Sequence, residues 1–191
     1  AVGRELRSLG GNDAVHVDDL ETALAHEASH LGEQLKRVGI LVGRVGVGKQ
    51  LPDVAPADAA KQGVDGFMCV VPYYNKPPQE GLYRHFKTIA DSTDMPIILY
   101  NIPARTGNKL LPETVQALCR DVENIVGAKD SSGDIENLKA YIRLTRELDK
   151  EVAILAGNDG AILTCLKEGG AGGIAGRANI WPETVAKIYD C

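Results

Sequence analysis

Long apolar runs, paired cysteines and a surplus of positive charge are all missing from this 191-residue chain. No stretch approaches the eighteen or so apolar residues of a membrane-spanning helix, and Ala1-Val2-Gly3-Arg4-Glu5 is no signal peptide. No membrane partner is expected. Lysine and arginine number 21 against 26 acidic residues, a net charge of −5, so a phosphate backbone finds no basic patch to act on. Nucleic acid is not an expected partner either. The four cysteines, Cys69, Cys119, Cys165 and Cys191, form no Cys-x-x-Cys pair that would hold a metal or run dithiol redox chemistry. Their apolar contexts mark them as reduced core thiols of a cytoplasmic protein. An initiator methionine is also missing, and the chain is expected to be a fragment of a longer protein. What remains, 44% hydrophobic and 25% charged residues, suits a single globular domain over residues 1–191.

The order of apolar segments is regular. An amphipathic helix is predicted from Val17 to Arg37, opened by Asp18 and Asp19. Strands follow at Val38–Val42, Gly66–Val71, Pro96–Tyr100, Asn124–Lys129, Val152–Ala156 and Gly172–Ala175. Helices alternate with them at Ala55–Gln62, Gly81–Ser92, Pro112–Arg120, Ile135–Leu148 and Ala161–Glu168, with a last one from Pro182. Repeated βα units imply an α/β fold with a parallel sheet, either doubly wound or closed as a (β/α)₈ barrel.

Two motifs in the N-terminal third invite other chemistry. His26-Glu27-Ala28-Ser29-His30 spells H-E-x-x-H, but Glu33 and Lys36 break the extended zinc pattern and the only later histidine is His85. A solvated helix face explains it better, and no metal is expected. Gly43-Arg44-Val45-Gly46-Val47-Gly48-Lys49 resembles a phosphate loop, yet Gln50 replaces the required hydroxyl and Pro52 and Pro56 interrupt the following helix. A glycine-rich connection is the simpler reading.

The strand ends carry more. Ile125-Val126-Gly127-Ala128 is an apolar run that stops at Lys129, as in a strand buried on both faces. In parallel α/β folds the working residues lie at the carboxyl ends of strands, where an apolar setting strips a lysine of its proton and makes it nucleophilic. Two neighbouring strands exit into Tyr73-Tyr74 and into Tyr100 with Arg105. A phenol relays protons and a guanidinium grips a carboxylate, so the set points to carbonyl chemistry on a carboxylic acid.

Pro72-Tyr73-Tyr74-Asn75-Lys76-Pro77, Gln79-Glu80-Gly81-Leu82-Tyr83, Tyr100-Asn101-Ile102-Pro103 with Arg105-Thr106-Gly107, Gly127-Ala128-Lys129-Asp130 and Gly157-Asn158-Asp159 together resemble the dihydrodipicolinate synthase family. That family belongs to the class I pyruvate aldolases related to N-acetylneuraminate lyase, and the resemblance runs from about Val64 to Asn179. It implies a (β/α)₈ barrel lacking its first strand and its C-terminal helical segment, since such a barrel needs about 250 residues. It further implies an imine between Lys129 and pyruvate with no other cofactor, Tyr100 as proton shuttle, and Arg105 as clamp on an aldehyde acid. Tyr74 would be a relay tyrosine reaching a neighbouring subunit's site in a homodimer or tetramer. Ile174 would line the pocket through its carbonyl. Gly11 and Asn12 stand where the family carries Gly-Thr-Thr-Gly-Glu, so both hydroxyls are absent and Asn12 is left to donate to the pyruvate carboxylate. The implied activity is a lyase that condenses pyruvate with aspartate semialdehyde to 4-hydroxy-tetrahydrodipicolinate, on the route to diaminopimelate and lysine. The alternatives are an aldolase of 2-keto-3-deoxy sugar acids, favoured by Lys129-Asp130-Ser131-Ser132-Gly133, and a catalytically inactive ligand-binding homologue.

Overall fold

The computed structural model describes residues 65–189 and, for the backbone alone, Val38–Leu41. Gly11, Asn12, the helices predicted at Val17–Arg37 and Ala55–Gln62, the His26–His30 motif, the Gly43–Lys49 segment and Cys191 lie outside the described residues.

Six strands form one sheet: β1 (Val38–Leu41), β2 (Gly66–Val70), β3 (Ile97–Asn101), β4 (Ile125–Asp130), β5 (Ala153–Ala156) and β6 (Gly172–Gly173). Every pairing is parallel, and the strands lie in sequence order from β1 to β6. The helices are α1 (Gln79–Ala90), α2 (Pro103–Thr106), α3 (Pro112–Asp121), α4 (Ile135–Arg146), α5 (Ile162–Lys167) and α6 (Pro182–Tyr189). None of the described helices is long and apolar enough to cross a membrane.

Strand order and helix placement decide between the two α/β architectures. A doubly wound sheet reverses its strand order and covers both faces with helices, whereas a barrel does neither. Here the larger apolar cluster joins outward strand residues such as Phe67, Ile97, Leu99 and Ile125 to helix residues such as Phe86, Leu118 and Leu138. The second cluster, Met68, Ile98, Val126 and Leu155, holds strand residues only, with Tyr100, Ala171 and Ile174 packed on it. The described helices that pack on the sheet therefore lie on one side, and the other face is the interior of a barrel whose six described strands form an arc.

Local sequence explains three of the longer helices. In α1 the buried Leu82, Phe86 and Ala90 recur every fourth residue, a stripe facing the sheet. Pro112 opens α3 at its first turn, where a missing N–H costs nothing. Asp134 caps α4, accepting from the amides of Glu136 and Asn137 at 3.1 and 3.2 Å. Helix α1 begins and ends two residues earlier than the pattern suggests, because Pro78 serves as its N-cap. Strand β6 spans two residues rather than four. Helix α2, a single turn, was not legible in the pattern of apolar residues. Cys69, Cys119 and Cys165 are buried free thiols, as expected.

One cation ties the far end of the barrel together. Lys150 Nζ donates to the carbonyls of Cys119, Val122, Glu123 and Ile125 at 2.7–3.0 Å. These are the last carbonyls of α3 and the turn that enters β4. Lys150→Met keeps the aliphatic stem but removes every donor from that cage, so a loss on the order of 2 kcal/mol is expected. Chemical denaturation of the two proteins measures it, and equal midpoints would show that water serves the carbonyls equally well.

Candidate active site

Lys129 and Tyr100 are register partners on β4 and β3, and both face the barrel interior. Lys129 Nζ sits 4.3 Å from the centre of the Tyr100 ring. The lysine is only 7% exposed, and it forms no ion pair among the described residues. Burial lowers its pKa from the usual 10.5 to about 8. The ring face attracts a cation, but desolvation outweighs that pull. At pH 7 about a tenth of such lysines are neutral, against roughly three in ten thousand at the usual value.

Room for the lysine comes from a glycine. Gly157 follows β5, and its N–H donates to the Asp130 carbonyl at 2.8 Å, which draws the two strand ends together. A Cβ at Gly157 would strike Ser131 Oγ and come within 2.9 Å of Lys129 Cε. The Ser131 hydroxyl oxygen is itself buried and has no hydrogen-bond partner among the described residues. Ser131 thus brings open hydrogen-bonding capacity to the lysine's side, a feature that no spacing in the sequence signals.

Arg105 lies on α2, which leaves the end of β3. The turn is closed by Gly107 in the left-handed region at φ 64°, where a side chain would also meet Lys76 Cε at 2.9 Å. Arg105 is exposed and has no ion pair among the described residues. Its loop is nevertheless held firmly from beneath. Asn108 Nδ2 donates to the Pro77 carbonyl at 2.9 Å, and Gln79 Nε2 donates to the Lys109 carbonyl at 2.8 Å. Gln79 Oε1 accepts from the Leu111 amide and the Thr114 hydroxyl at 3.1 and 2.8 Å.

The remaining expected residues divide. Ile174 packs on the same inward cluster as Tyr100, and its N–H donates to the Ala156 carbonyl at 2.9 Å. Tyr73 and Tyr74 stand on the loop after β2 and are 42% and 70% exposed. The structure therefore brings together Lys129 and Tyr100, sets Ile174 on the same interior face, places Arg105 on the loop after β3, and leaves Tyr74 exposed. Among the described residues no group of three His, Cys, Asp or Glu side chains is arranged to hold a metal ion.

Comparison with known proteins gives consistent results. The model of the dihydrodipicolinate synthetase family matches residues 51–191. A 4-hydroxy-tetrahydrodipicolinate synthase of Persephonella marina is 41% identical over 153 residues, 80% of this chain and 51% of that protein. The crystal structure of dihydrodipicolinate synthase from Thermotoga maritima superposes with a TM-score of 0.66 at 38% identity, covering 69% of this chain and 44% of that one. A prophage protein of the dihydrodipicolinic acid synthase family from E. coli K12, in complex with pyruvate, gives 0.68 at 32% identity over 70% and 45%. The chain spans about half the length of the curated relatives it matches.

The low pKa of Lys129 has a direct readout. Competitive labelling with trace acetic anhydride, followed by peptide mass spectrometry across pH, is expected to give a Lys129 midpoint near 8. A midpoint equal to that of free N-acetyl-lysine would show that water reaches the ammonium.

Proposed function

The chain belongs to the dihydrodipicolinate synthetase family, and from that premise we propose that the whole protein condenses pyruvate with aspartate semialdehyde to 4-hydroxy-tetrahydrodipicolinate through an imine on Lys129. The observation that carries this reading is a buried lysine of lowered pKa set against a tyrosine at the carboxyl end of a barrel strand. Neutral Lys129 Nζ attacks the keto carbon of pyruvate, and loss of water leaves the imine. The imine withdraws electrons from the methyl carbon, which gives up a proton and becomes an enamine that adds to the aldehyde carbon. Tyr100 is half-buried beside Nζ and has a hydroxyl able to donate and accept, so it is assigned the proton transfers.

Arg105 suits the second substrate. Its guanidinium is exposed, without an ion pair among the described residues, on a loop anchored by Gln79 and Asn108. A bidentate grip on the aldehyde's carboxylate asks for a rigidly placed fork of this kind. Ile174 is assigned to the pocket wall through its carbonyl. Tyr74, exposed on one chain, is assigned to a neighbouring subunit's site in an oligomer. Gly11 and Asn12 are assigned to the pyruvate carboxylate on the resemblance alone. The reading needs no metal, because the imine supplies the electron sink.

One observation favours a second substrate class. The unpartnered Ser131 hydroxyl beside Lys129 would suit a polyhydroxylated aldehyde, the partner of a 2-keto-3-deoxy sugar acid aldolase. Pyruvate consumption measured with a panel of aldehydes separates the two.

In the full-length protein, pyruvate with borohydride is expected to add a stable mass at Lys129, located by peptide mapping. Label at Lys76 or Lys167 instead, or none, would remove the imine reading. Arg105→Ala is expected to raise KM for the aldehyde about 30-fold or more while pyruvate is little affected, the loss of a charge-assisted pair being worth on the order of 2–3 kcal/mol. Equal effects on both substrates would show that Arg105 supports the site without selecting the aldehyde.

A further inference from the structure

Behind the reactive strand lies a polar cluster that no step above uses. Asn101 and Asp130 are 0% and 4% exposed, and Asn101 Nδ2 donates to Asp130 Oδ1 at 2.7 Å. They are register partners one step beyond Tyr100 and Lys129. Strand alternation turns them outward, towards the helices, while Tyr100 and Lys129 turn inward. Asp130 Oδ2 accepts from the Ser132 hydroxyl at 2.7 Å. Asn101 Oδ1 accepts from the Leu110 amide at 3.0 Å, and the Leu110 carbonyl accepts from the buried Tyr141 hydroxyl at 2.6 Å. No other side-chain hydrogen bond joins β3 to β4 among the described residues.

A buried carboxylate is costly, and two apolar residues would pack here at lower cost, so stability alone does not explain the pair. Register does. Ile97 pairs with Ile125, but Ile98 pairs with Gly127, so β4 carries an extra residue upstream. Such a bulge interrupts the ladder that fixes alignment, and a slip of one residue would carry Lys129 to the helix side and Asp130 to the interior. We propose that the Asn101–Asp130 hydrogen bond is a register lock that holds Lys129 over the Tyr100 ring, and that Leu110 extends the lock to the loop bearing Arg105. Asn101 and Asp130 are positioning residues. Their catalytic meaning rests on the imine reading, whereas the lock itself does not.

The test uses the full-length protein, the variants Asn101→Asp and Asn101→Asp/Asp130→Asn, and two readouts. Asn101→Asp sets two carboxylates face to face, while the double variant reverses the pair and keeps the bond. In Asn101→Asp, hydrogen–deuterium exchange of the amides at 129–132 is expected to rise about tenfold or more, because the Ser131 amide bond to the Asn101 carbonyl opens. Borohydride trapping at saturating pyruvate is expected to slow about tenfold, with the half-saturating pyruvate concentration little changed, since misplacement affects the attack more than binding. The double variant is expected to recover both. If Asn101→Asp does not fold, Asn101→Ala, which removes the donor without adding charge, replaces it. Wild-type exchange and trapping rates in the broken pair, or no recovery in the reversed one, would overturn the lock. A wild type that pyruvate never traps, with exchange behaving as stated, would overturn the imine reading and leave the lock standing.

Discussion

Two-residue alternation along strands that are buried on both faces forces neighbouring side chains into different worlds. Lys129 and Asp130 are adjacent and oppositely charged, and in a loop they would neutralise each other. On β4 they cannot meet. The carboxylate turns outward to Asn101 and Ser132, which satisfy it, while the ammonium turns inward to an aromatic ring and apolar neighbours. The lysine is therefore desolvated with only a ring face to offset the loss, and its proton is held loosely. Because the charged form is penalised in the folded state, the cost is present in full below pH 8, fades as pH rises from 8 towards 10.5, and amounts to on the order of 3 kcal/mol.

That cost has to be offset by other parts of the fold, and the polar bonds around the strand ends are suitably placed to do so. Gln79 makes three hydrogen bonds from the first turn of α1 to the segment leading into α3. Asn108 joins the loop after β3 to the loop after β2, and Lys150 closes the opposite end of β4 with four carbonyls. None of these groups faces the barrel interior. They hold the strand ends and loops in place, and none of them pairs with Lys129 among the described residues.

This division explains what the sequence makes legible. Strand and helix order follow from apolar runs and periodicity, both local, and Lys129 is conspicuous because an apolar run stops there, although burial continues through Asp130. Tyr100 and Arg105 could be read from the segments that follow a strand. The lacing could not. Asn101 and Asp130 are 29 residues apart, and Lys150 reaches carbonyls 25–31 residues away, so their partners exist only once the sheet has formed. The single turn Pro103–Thr106 escaped for a different reason, since four residues are too few to show a helical period. Gln79 illustrates the mixture. It stands in a recognisable motif, yet its observed contacts are with the backbone and a threonine of the neighbouring unit.

The same geometry bears on which features of the site tolerate change. A group that reacts needs its own chemistry, so under the proposed imine reading Lys129 has no substitute. Groups that position it need only preserve a distance, and in principle another hydrogen-bonding pair could take the place of Asn101 and Asp130. Gly157 lies between these cases. It contributes no functional group, but the space beside its Cα is already filled by Ser131 Oγ and Lys129 Cε, so any side chain there must displace one of them. Displacing the serine moves the unpartnered hydroxyl, and displacing the lysine moves its nitrogen from the Tyr100 ring. The space at this strand end is therefore governed by backbone approach as much as by the polar residues, because β4 and β5 come so close beside Lys129.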